Sequence, residues 1–427
     1  MSISDAIDSM PLHLPSVRAD LPNTWSWSRL DELCLGIFDC PHSTPKLTVA
    51  GPYVVRTQDI GTGVFRAEDA AHVSEDTYSD RTSRAVPSVG DLLYSREGTY
   101  FGVAAEVPAN TPLCLGQRMV LIRPDERKVS VRYLRFWLNS PVMAAYIEGY
   151  RDGSVAQRLN LPTIRALPVL VPPIAEQRGI SAVLGSLDDK FEVNLRVADS
   201  TRKLAIAYAA DRLSRCNGPW RTLEDIVTVT KGVSYRSADL VPGDGWLVSL
   251  KCAARDGSFH RDGLKPFSGP AKDAQVVDEG DIVVAQTDIT QRAEVIGRPI
   301  RVERLGFVGK LVASLDFVIV RPGRELTREV LFVLLNQQEF RDHVLGYCNG
   351  TTVLHMNSRA VPSYQFSLPD ADVVKTVTSV IKPLLERSDC ARRENAALTR
   401  FRDALLPRLL SGDLCVRDAE SLVEEVV

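Results

Sequence analysis

The chain has 427 residues, 44% of them hydrophobic and 25% charged, with 25 prolines; that length exceeds a single core and implies two or three globular domains rather than a disordered polymer. A formal charge of −3 neither marks nor excludes a nucleic-acid partner, because a net value averages over faces of opposite sign. No apolar run approaches the roughly 18 residues that span a bilayer, and the opening "MSISDAIDSMPLHLP" has no basic segment leading into an apolar one, so a cytoplasmic chain is expected.

In chain order, residues 1–20 read as an N-terminal extension and 21–172 as a first mixed α/β domain that opens on "TWSWSRLDEL" (24–33). "VVRTQDIG" (54–61) is a strand running into a turn that offers Arg56 and Gln58. "VPSVGDLLYSREG" (86–98) places a Gly-Asp turn before a strand, with Ser95 and Arg96 at its far end, and "LGQRM" (115–119) adds Gln117 and Arg118. "VLIRPDERKVSVRYLRFWLNS" (120–140) is a β-rich run stopped by Arg-Pro and followed by a helix. "YRDGSVAQRLN" (150–160) contributes Arg151, Ser154, Gln157 and Arg158.

"VPPIAEQRGI" (171–180) is a seam: the double proline closes an apolar stretch, and Glu176–Gln177 open a helical pattern assigned to a spacer over 173–215. From Ile180 the residues Leu184, Leu187, Phe191, Leu195, Ala198, Ala205, Tyr208 and Leu213 recur mostly at three- and four-residue gaps, one face of a helix. At ~1.5 Å rise per residue, 176–214 would extend roughly 58 Å.

The chain then repeats itself, with 216–369 as a second domain. "GPWRTLEDIV" (218–227) answers the first opening, "VVDEGDIVVAQTD" (276–288) sets Gly280–Asp281 against Gly90–Asp91, and "VIVRPGRELTREVLFVLLNQ" (318–337) matches the Arg-Pro run. "YCNGTTVLHMN" (347–357) matches "YRDGSVAQRLN". The candidates in this copy are Lys251, Gln286 in the place of Arg96, Thr287, Lys310 in the place of Gln117, Thr351, Thr352, His355 and Asn357. The last segment, 370–427, again carries a stripe: Val373, Val377, Val380, Leu384, Ala391, Asn395, Leu398, Phe401, Leu405 and Leu409, with Pro383 at a start or a kink. Stripes this narrow need a partner helix, and an antiparallel pair related by an approximate two-fold is expected. The alternative is that each helix packs on its own domain.

The eight cysteines (34, 40, 114, 216, 252, 348, 390, 415) never fall in a CxxC spacing and read as reduced thiols. "VPPI" (171–174) lacks the aromatic residue and the amide or carboxylate that a methyltransferase needs to hold a flipped base. Gly61–Thr62–Gly63 and Gly243–Asp244–Gly245 are turns without the third glycine of a cofactor loop. Six scattered histidines form no HExxH, and Asp288 with Glu294 has no lysine at nuclease spacing in "AEVIG". Neither a catalytic residue nor a metal is expected.

"VPPIAEQRGISAVLGSLDDKFEVNLR" (171–196), "LTRFRDALLPRLLSGDL" (398–414) and the paired "GDLLYSREG" and "GSVAQRLN" segments resemble the specificity (S) subunit of type I restriction-modification systems over nearly the whole chain. The fold that the repeat and this resemblance imply is α+β: two similar mixed α/β target-recognition domains separated by two long antiparallel, coiled-coil-like helices. The resemblance also implies a host-defence role in which two methyltransferase (M) subunits and restriction/translocase (R) subunits are partners. Glu176, Gln177, Arg402, Leu406 and Arg408 are the candidate docking residues, and S-adenosylmethionine and ATP with Mg are expected on the partners rather than here. The second seam departs from the pattern, since "SLPDADVV" (367–374) lacks the double proline and Glu-Gln.

Such a subunit reads double-stranded DNA. Arginine suits guanine and Asn or Gln suits adenine, while half or more of such contacts grip only phosphate; two unlike domains would read an asymmetric bipartite target. The competing classes are an enzyme, which the missing motifs oppose, and a scaffold without DNA contact, which would show no salt-sensitive duplex binding.

Overall fold

Two glycines held at positive φ, Gly90 (94°) and Gly280 (83°), turn the chain into the strands around which the two halves of the sequence are built. Each is followed by a buried aspartate, Asp91 or Asp281. In the computed structural model, which describes residues 21–98, 101–149, 158–289, 292–304, 307–350 and 353–424, the chain forms two compact units. One comprises the chain up to Lys190 together with Leu398 onward; the other is Phe191–Ala397.

The first unit carries strands β1 (Ser26–Arg29), β2 (Cys34–Asp39), β3 (Thr48–Val55), β4 (Ala71–His72), β5 (Leu92–Ser95), β6 (Ala104–Glu106), β7 (Leu113–Leu115), β8 (Met119–Pro124) and β9 (Pro168–Val171). They make a four-stranded sheet β2-β8-β5-β6, a three-stranded sheet β4-β3-β7 and a pair β1-β9; β3 and β7 run parallel. Helices α1 (Glu75–Thr82), α2 (Val131–Leu138), α3 (Pro141–Glu148) and α4 (Leu161–Arg165) complete the globular part. Buried aromatics on α2 satisfy their polar atoms on β9, with Trp137 Nε1 donating to Pro168 O at 2.8 Å and Tyr133 Oη to Leu170 O at 2.7 Å.

Helix α5 (Ile174–Ser214) begins in this unit. Its Ile180, Val183, Leu184 and Leu187 share one core with the globular part and with Leu398, Leu405, Leu406, Leu409 and Leu410 of the later helix.

The second unit repeats this plan. After the short strand β10 (Trp220–Thr222) and helix α6 (Leu223–Ile226) come β11 (Val227–Lys231), β12 (Gly245–Val248), β13 (Leu264–Phe267), β14 (Val276–Val277), β15 (Ile282–Ala285), β16 (Thr287–Asp288), β17 (Pro299–Arg301), β18 (Lys310–Ala313), β19 (Phe317–Pro322), β20 (Cys348–Asn349), β21 (Leu354–Met356) and β22 (Gln365–Ser367), with α7 (Arg328–Leu335) and α8 (Gln338–Leu345). The order β11-β19-β15-β17 reproduces β2-β8-β5-β6, β13-β12-β18 reproduces β4-β3-β7, and β10-β22 reproduces β1-β9. The parallel pair recurs as β12 and β18. Like topologies from unlike residues establish the repeat as structural.

The long helix α9 (Ala371–Leu410) continues through Pro383 and Pro407. In the second unit its Val374, Val377, Ile381 and Leu385 pack with Ala205 and Ala209 of α5 and with the globular core. Ser388 Oγ donates to Ala198 O (2.8 Å) and Asn395 Nδ2 to Phe191 O (3.0 Å), so residues that advance on one helix retreat on the other. The helices thus pair antiparallel and also pack on the domains, which combines the two arrangements expected from the sequence.

The expected stripe needs one correction: Leu195 and Val380 are exposed, while Asn194 and Ser388, outside it, are buried; Asn395, which it includes, is buried as expected. Hydrophobicity alone skips a polar residue such as Ser388 that bonds to the facing helix. Helix α10 (Val416–Glu424) closes the first unit with Ala419 and Val423 in its core. A Cβ on Gly179 of α5 would lie 2.8 Å from Val416 Cγ1.

Both Gly-Asp turns are locked identically. Asp91 meets Arg123 of β8 at 2.7 Å and Asp281 meets Arg321 of β19 at 2.9 Å. Each carboxylate also accepts from the backbone N–H three residues earlier, Ser88 or Asp278, and each arginine donates to a carbonyl of the preceding segment, Val86 or Val276. Replacing Asp91 by Ala should lower the stability of the first unit by about 3 kcal/mol, near the low end for a broken buried pair because Arg123 is partly solvated. Denaturant unfolding of the variant measures it, and a loss under 1 kcal/mol would contradict the lock.

A second prediction concerns Glu303, which follows β17 and is 5% exposed. It faces Arg392 at 3.8 Å, beside the Arg301–Asp389 pair at 3.1 Å and the Arg393–Glu279 pair. Burial is the dominant influence and pushes its carboxyl from 4.5 up to about 8, against the opposing pull of Arg392. The folded unit therefore retains a proton that the unfolded chain has released, and stability falls as pH rises from about 4.5 to about 8. Glu303→Gln should raise the melting temperature over the parent at pH 8.5, and the difference should vanish at pH 4; equal pH profiles would refute this.

Candidate nucleic-acid interface

Parallel strands end side by side, so whatever follows them emerges on one edge. In the first unit, Val55 of β3 pairs with Leu115 of β7, and Gly116 N donates to Val55 O at 2.8 Å. A Cβ on Gly116 would lie 2.6 Å from that oxygen, which is why a glycine stands there.

Arg56 follows β3 and is fixed across the fully buried Asp59, with its Nε and Nη2 donating to the two carboxylate oxygens at 2.9 and 2.8 Å. Gln58, on the turn between them, is exposed. After β7, half-buried Gln117 donates from Nε2 to His42 O. Exposed Arg118 sits at φ 71° with its Nε 3.3 Å from Glu97 Oε1.

The end of β5 reaches the same edge, because Arg96 N donates to Arg118 O at 2.9 Å. Ser95 is buried, and its Oγ accepts from Val103 N at 3.0 Å. The Arg96 side chain, 3% exposed, turns inward onto Asp39 at 3.0 Å. Arg158 is exposed; Glu97 forms a β-bridge with it and Leu159 N donates to Arg96 O at 2.8 Å. Arg151, Ser154 and Gln157 lie outside the described residues.

The second unit builds the same edge with other side chains. Val248 pairs with Ala313, Ser314 N donates to Val248 O at 3.0 Å, Gln286 N to Asp316 O at 2.7 Å, and Met356 N to Gln286 O at 2.8 Å. Lys251, on the one-turn helix after β12, is exposed in the place of Gln58. Gln286 does occupy the place of Arg96; it is 7% exposed and its amide donates to Leu315 O at 3.1 Å. Half-buried Thr287 pairs with His355 in register and donates from Oγ1 to Asp316 at 3.0 Å. His355 and Asn357 are exposed, and Asn357 Oδ1 accepts from Arg359 N at 2.9 Å. Thr351 and Thr352 lie outside the described residues.

One equivalence expected from the sequence is wrong. Lys310 begins β18 opposite Gly245, at the end of the strand away from this edge; the residue in the place of Gln117 is Leu315. Ser95 matches Ala285, 190 residues on, whereas Met119 matches Phe317, 198 residues on. The second copy therefore carries an insertion between these points, and no single sequence offset fits both sides of it. Leu315 and Asp316, absent from the sequence-derived candidates, are the residues that the "LGQRM"–"ASLDF" correspondence could have shown.

Burial pushes the Cys252 thiol up to about 12 and raises that of Cys40 as well. No cluster of His, Cys, Asp or Glu suited to a metal occurs among the described residues, and no helix there is long and apolar enough to cross a membrane.

The candidate docking residues all fall in the first unit. Gln177 is fully buried: its Oε1 accepts from Ser130 N at 2.8 Å, and its Nε2 donates to Pro172 O (2.8 Å) and Lys128 O (3.2 Å). Glu176 accepts from Trp25 Nε1 at 2.9 Å, and Leu406 is in the core. Arg402 lies between Asp403 and Asp188, at 3.0 and 3.5 Å. Only Arg408 is exposed. In the second unit Val374 stands where Gln177 does, and a Thr327–Thr378 hydroxyl contact at 2.8 Å ties domain to helix instead. The glutamine of the first seam is thus a structural clamp, and its absence from the second seam has a local substitute.

No family model matches the chain. It is 20% identical over 408 residues to the type I restriction enzyme MjaIX specificity subunit of Methanocaldococcus jannaschii, covering 89% of this chain and 88% of that protein. Over 187 residues it is 23% identical to the EcoEI specificity subunit of Escherichia coli, covering 41% of this chain and 30% of the other. The crystal structure of a type I restriction-modification S subunit from M. genitalium superposes with a TM-score of 0.54 at 13% identity, over 92% of this chain and 97% of that one. In sequence along most of its length, and in fold, the chain is similar to the specificity subunits of type I restriction-modification systems.

Proposed function

We propose that this chain is a non-catalytic DNA-reading specificity subunit whose two edges each read one half of an asymmetric bipartite target. What supports the reading most is that one backbone arrangement is built twice and presents different side chains: Gln58, Gln117, Arg118 and Arg158 in one unit, Lys251, Thr287, His355 and Asn357 in the other. Recognition by major-groove hydrogen bonds needs such a constant frame with variable donors and acceptors. Arg56, Ser95, Arg96 and Gln286 act within this reading as braces, since their polar groups are tied to protein atoms. Arg151, Ser154, Gln157, Thr351 and Thr352 stay in this reading as sequence neighbours of Arg158 and His355.

In the same reading, methyltransferase subunits and, through them, restriction subunits dock on the first unit's helical end around Arg408 and Arg402, which Glu176, Gln177 and Leu406 hold in shape. S-adenosylmethionine and ATP with Mg are bound by those partners. Lys310 retains a role only as a phosphate contact.

The test is selection of duplexes from a random pool by the full chain, followed by salt titration. One bipartite sequence should emerge, and affinity should fall steeply as salt rises, because each neutralised phosphate releases counterions. Arg158→Ala should cost about tenfold or more at one half-site alone, and the double change His355→Ala with Asn357→Ala should do the same at the other. A pool that enriches no sequence, or variants that weaken every duplex alike, would end the reading.

A further inference from the structure

Within each edge, one turn has the same backbone connections and opposite chemistry. It is Gly116–Arg118 in the first unit and Ser314–Asp316 in the second, fixed to the neighbouring strand end by the Gly116–Val55 and Ser314–Val248 bonds, and closed by the Arg96–Arg118 and Gln286–Asp316 bonds. The hydrogen-bonded frame is shared, and the side chains set in it differ.

In the first unit the tip is Arg118, 55% exposed. A φ of 71° is unusual for a residue with a Cβ, and the surrounding hydrogen bonds hold it there. Glu97 lies against its Nε, at 3.3 Å, which leaves the fork of the guanidinium outward. In the second unit the residue matched to Arg118 is Asp316, and the exposed side chain of the turn is Leu315, 48% exposed, in the place of Gln117. Asp316 does not project as a reader, because its two oxygens accept from Thr287 Oγ1 (3.0 Å) and Ser314 Oγ (3.1 Å). An edge otherwise set with Lys251, His355 and Asn357 therefore displays an aliphatic side chain at its tip.

We infer that this turn is where the two half-sites diverge: Arg118 reads the N7/O6 edge of a guanine in one half, and Leu315 packs on the C5-methyl group of a thymine in the other. Only thymine offers an apolar group in the major groove, so an exposed leucine gains from it what no other base edge supplies. This inference rests on the DNA-reading proposed above.

The experiment uses the full chain and the duplex selected from the random pool. Each thymine is replaced singly by deoxyuridine, which removes only the methyl group, and each guanine by 7-deazaguanine, which removes only N7. One thymine, in the half-site that responds to the His355/Asn357 variant, should lose about threefold to fivefold in affinity on demethylation, the value of one buried methyl group. Leu315→Ala should bind thymine and uracil equally there while leaving the other half-site intact. In the opposite half, one guanine should lose about tenfold on deaza substitution, and Arg118→Asn, which tolerates positive φ, should abolish that difference. If a bipartite sequence is enriched but no thymine in that half depends on its methyl group, or Leu315→Ala keeps the dependence, the inference falls while DNA reading stands. If no sequence is enriched, both fall.

Discussion

The parallel pairing of β3 with β7, and of β12 with β18, is the constraint on which the rest of the molecule depends. Antiparallel neighbours send their ends to opposite edges; parallel neighbours finish together. Because Val55 and Leu115 end side by side, and Val248 and Ala313 likewise, two turns emerge at one place, and β5 or β15 brings a third segment to it through a single backbone hydrogen bond. An edge of three converging segments follows with no dedicated scaffold beyond the sheets themselves. The arrangement also explains how the two units carry different side chains there, since the connections that fix the edge are made by backbone atoms.

Polar residues inside the structure divide into those that lock and those that project, and residue type does not decide which. Arg96 and Arg118 lie on adjoining segments of one edge, yet Arg96 is buried on Asp39 while Arg118 stands out beside Glu97. Each finds a carboxylate, Asp39 at 3.0 Å and Glu97 at 3.3 Å, so the counter-charge permits burial without dictating it. A guanidinium that leaves water needs such a partner to offset its desolvation, and Asp39 at the end of β2 supplies it to Arg96. Gln177 follows a related logic: a buried amide with three backbone partners around a helix start is a fastener.

The helices show how far periodicity reaches. Ile180, Leu184, Leu187, Val377, Leu398, Leu405 and Leu409 all lie in the cores that their spacing implied. Where the facing backbone offers a carbonyl, however, a polar residue takes the buried position, Asn395 on the stripe and Ser388 off it, and Leu195 is left to solvent. A hydrogen bond to a main-chain atom of the partner helix is invisible in a hydropathy pattern, and it fixes register more narrowly than aliphatic packing does.

By itself the sequence determined that there are two copies of one unit, where their Gly-Asp turns and Arg-Pro strand ends fall, and that each copy ends in a long helix needing a partner. These are local signals: glycines at positive φ, prolines that stop strands, and a hydrophobic period of three and four. Tertiary structure decided which candidates project, which of them are braces, and that Leu315 rather than Lys310 answers Gln117. Those outcomes depend on counter-charges and strand partners tens or hundreds of residues away, such as Asp39 for Arg96 and Trp25 for Glu176, and on an insertion whose position becomes definite only once hydrogen bonds align the two sheets. Spacing along a chain carries no information about which distant group will fold against it.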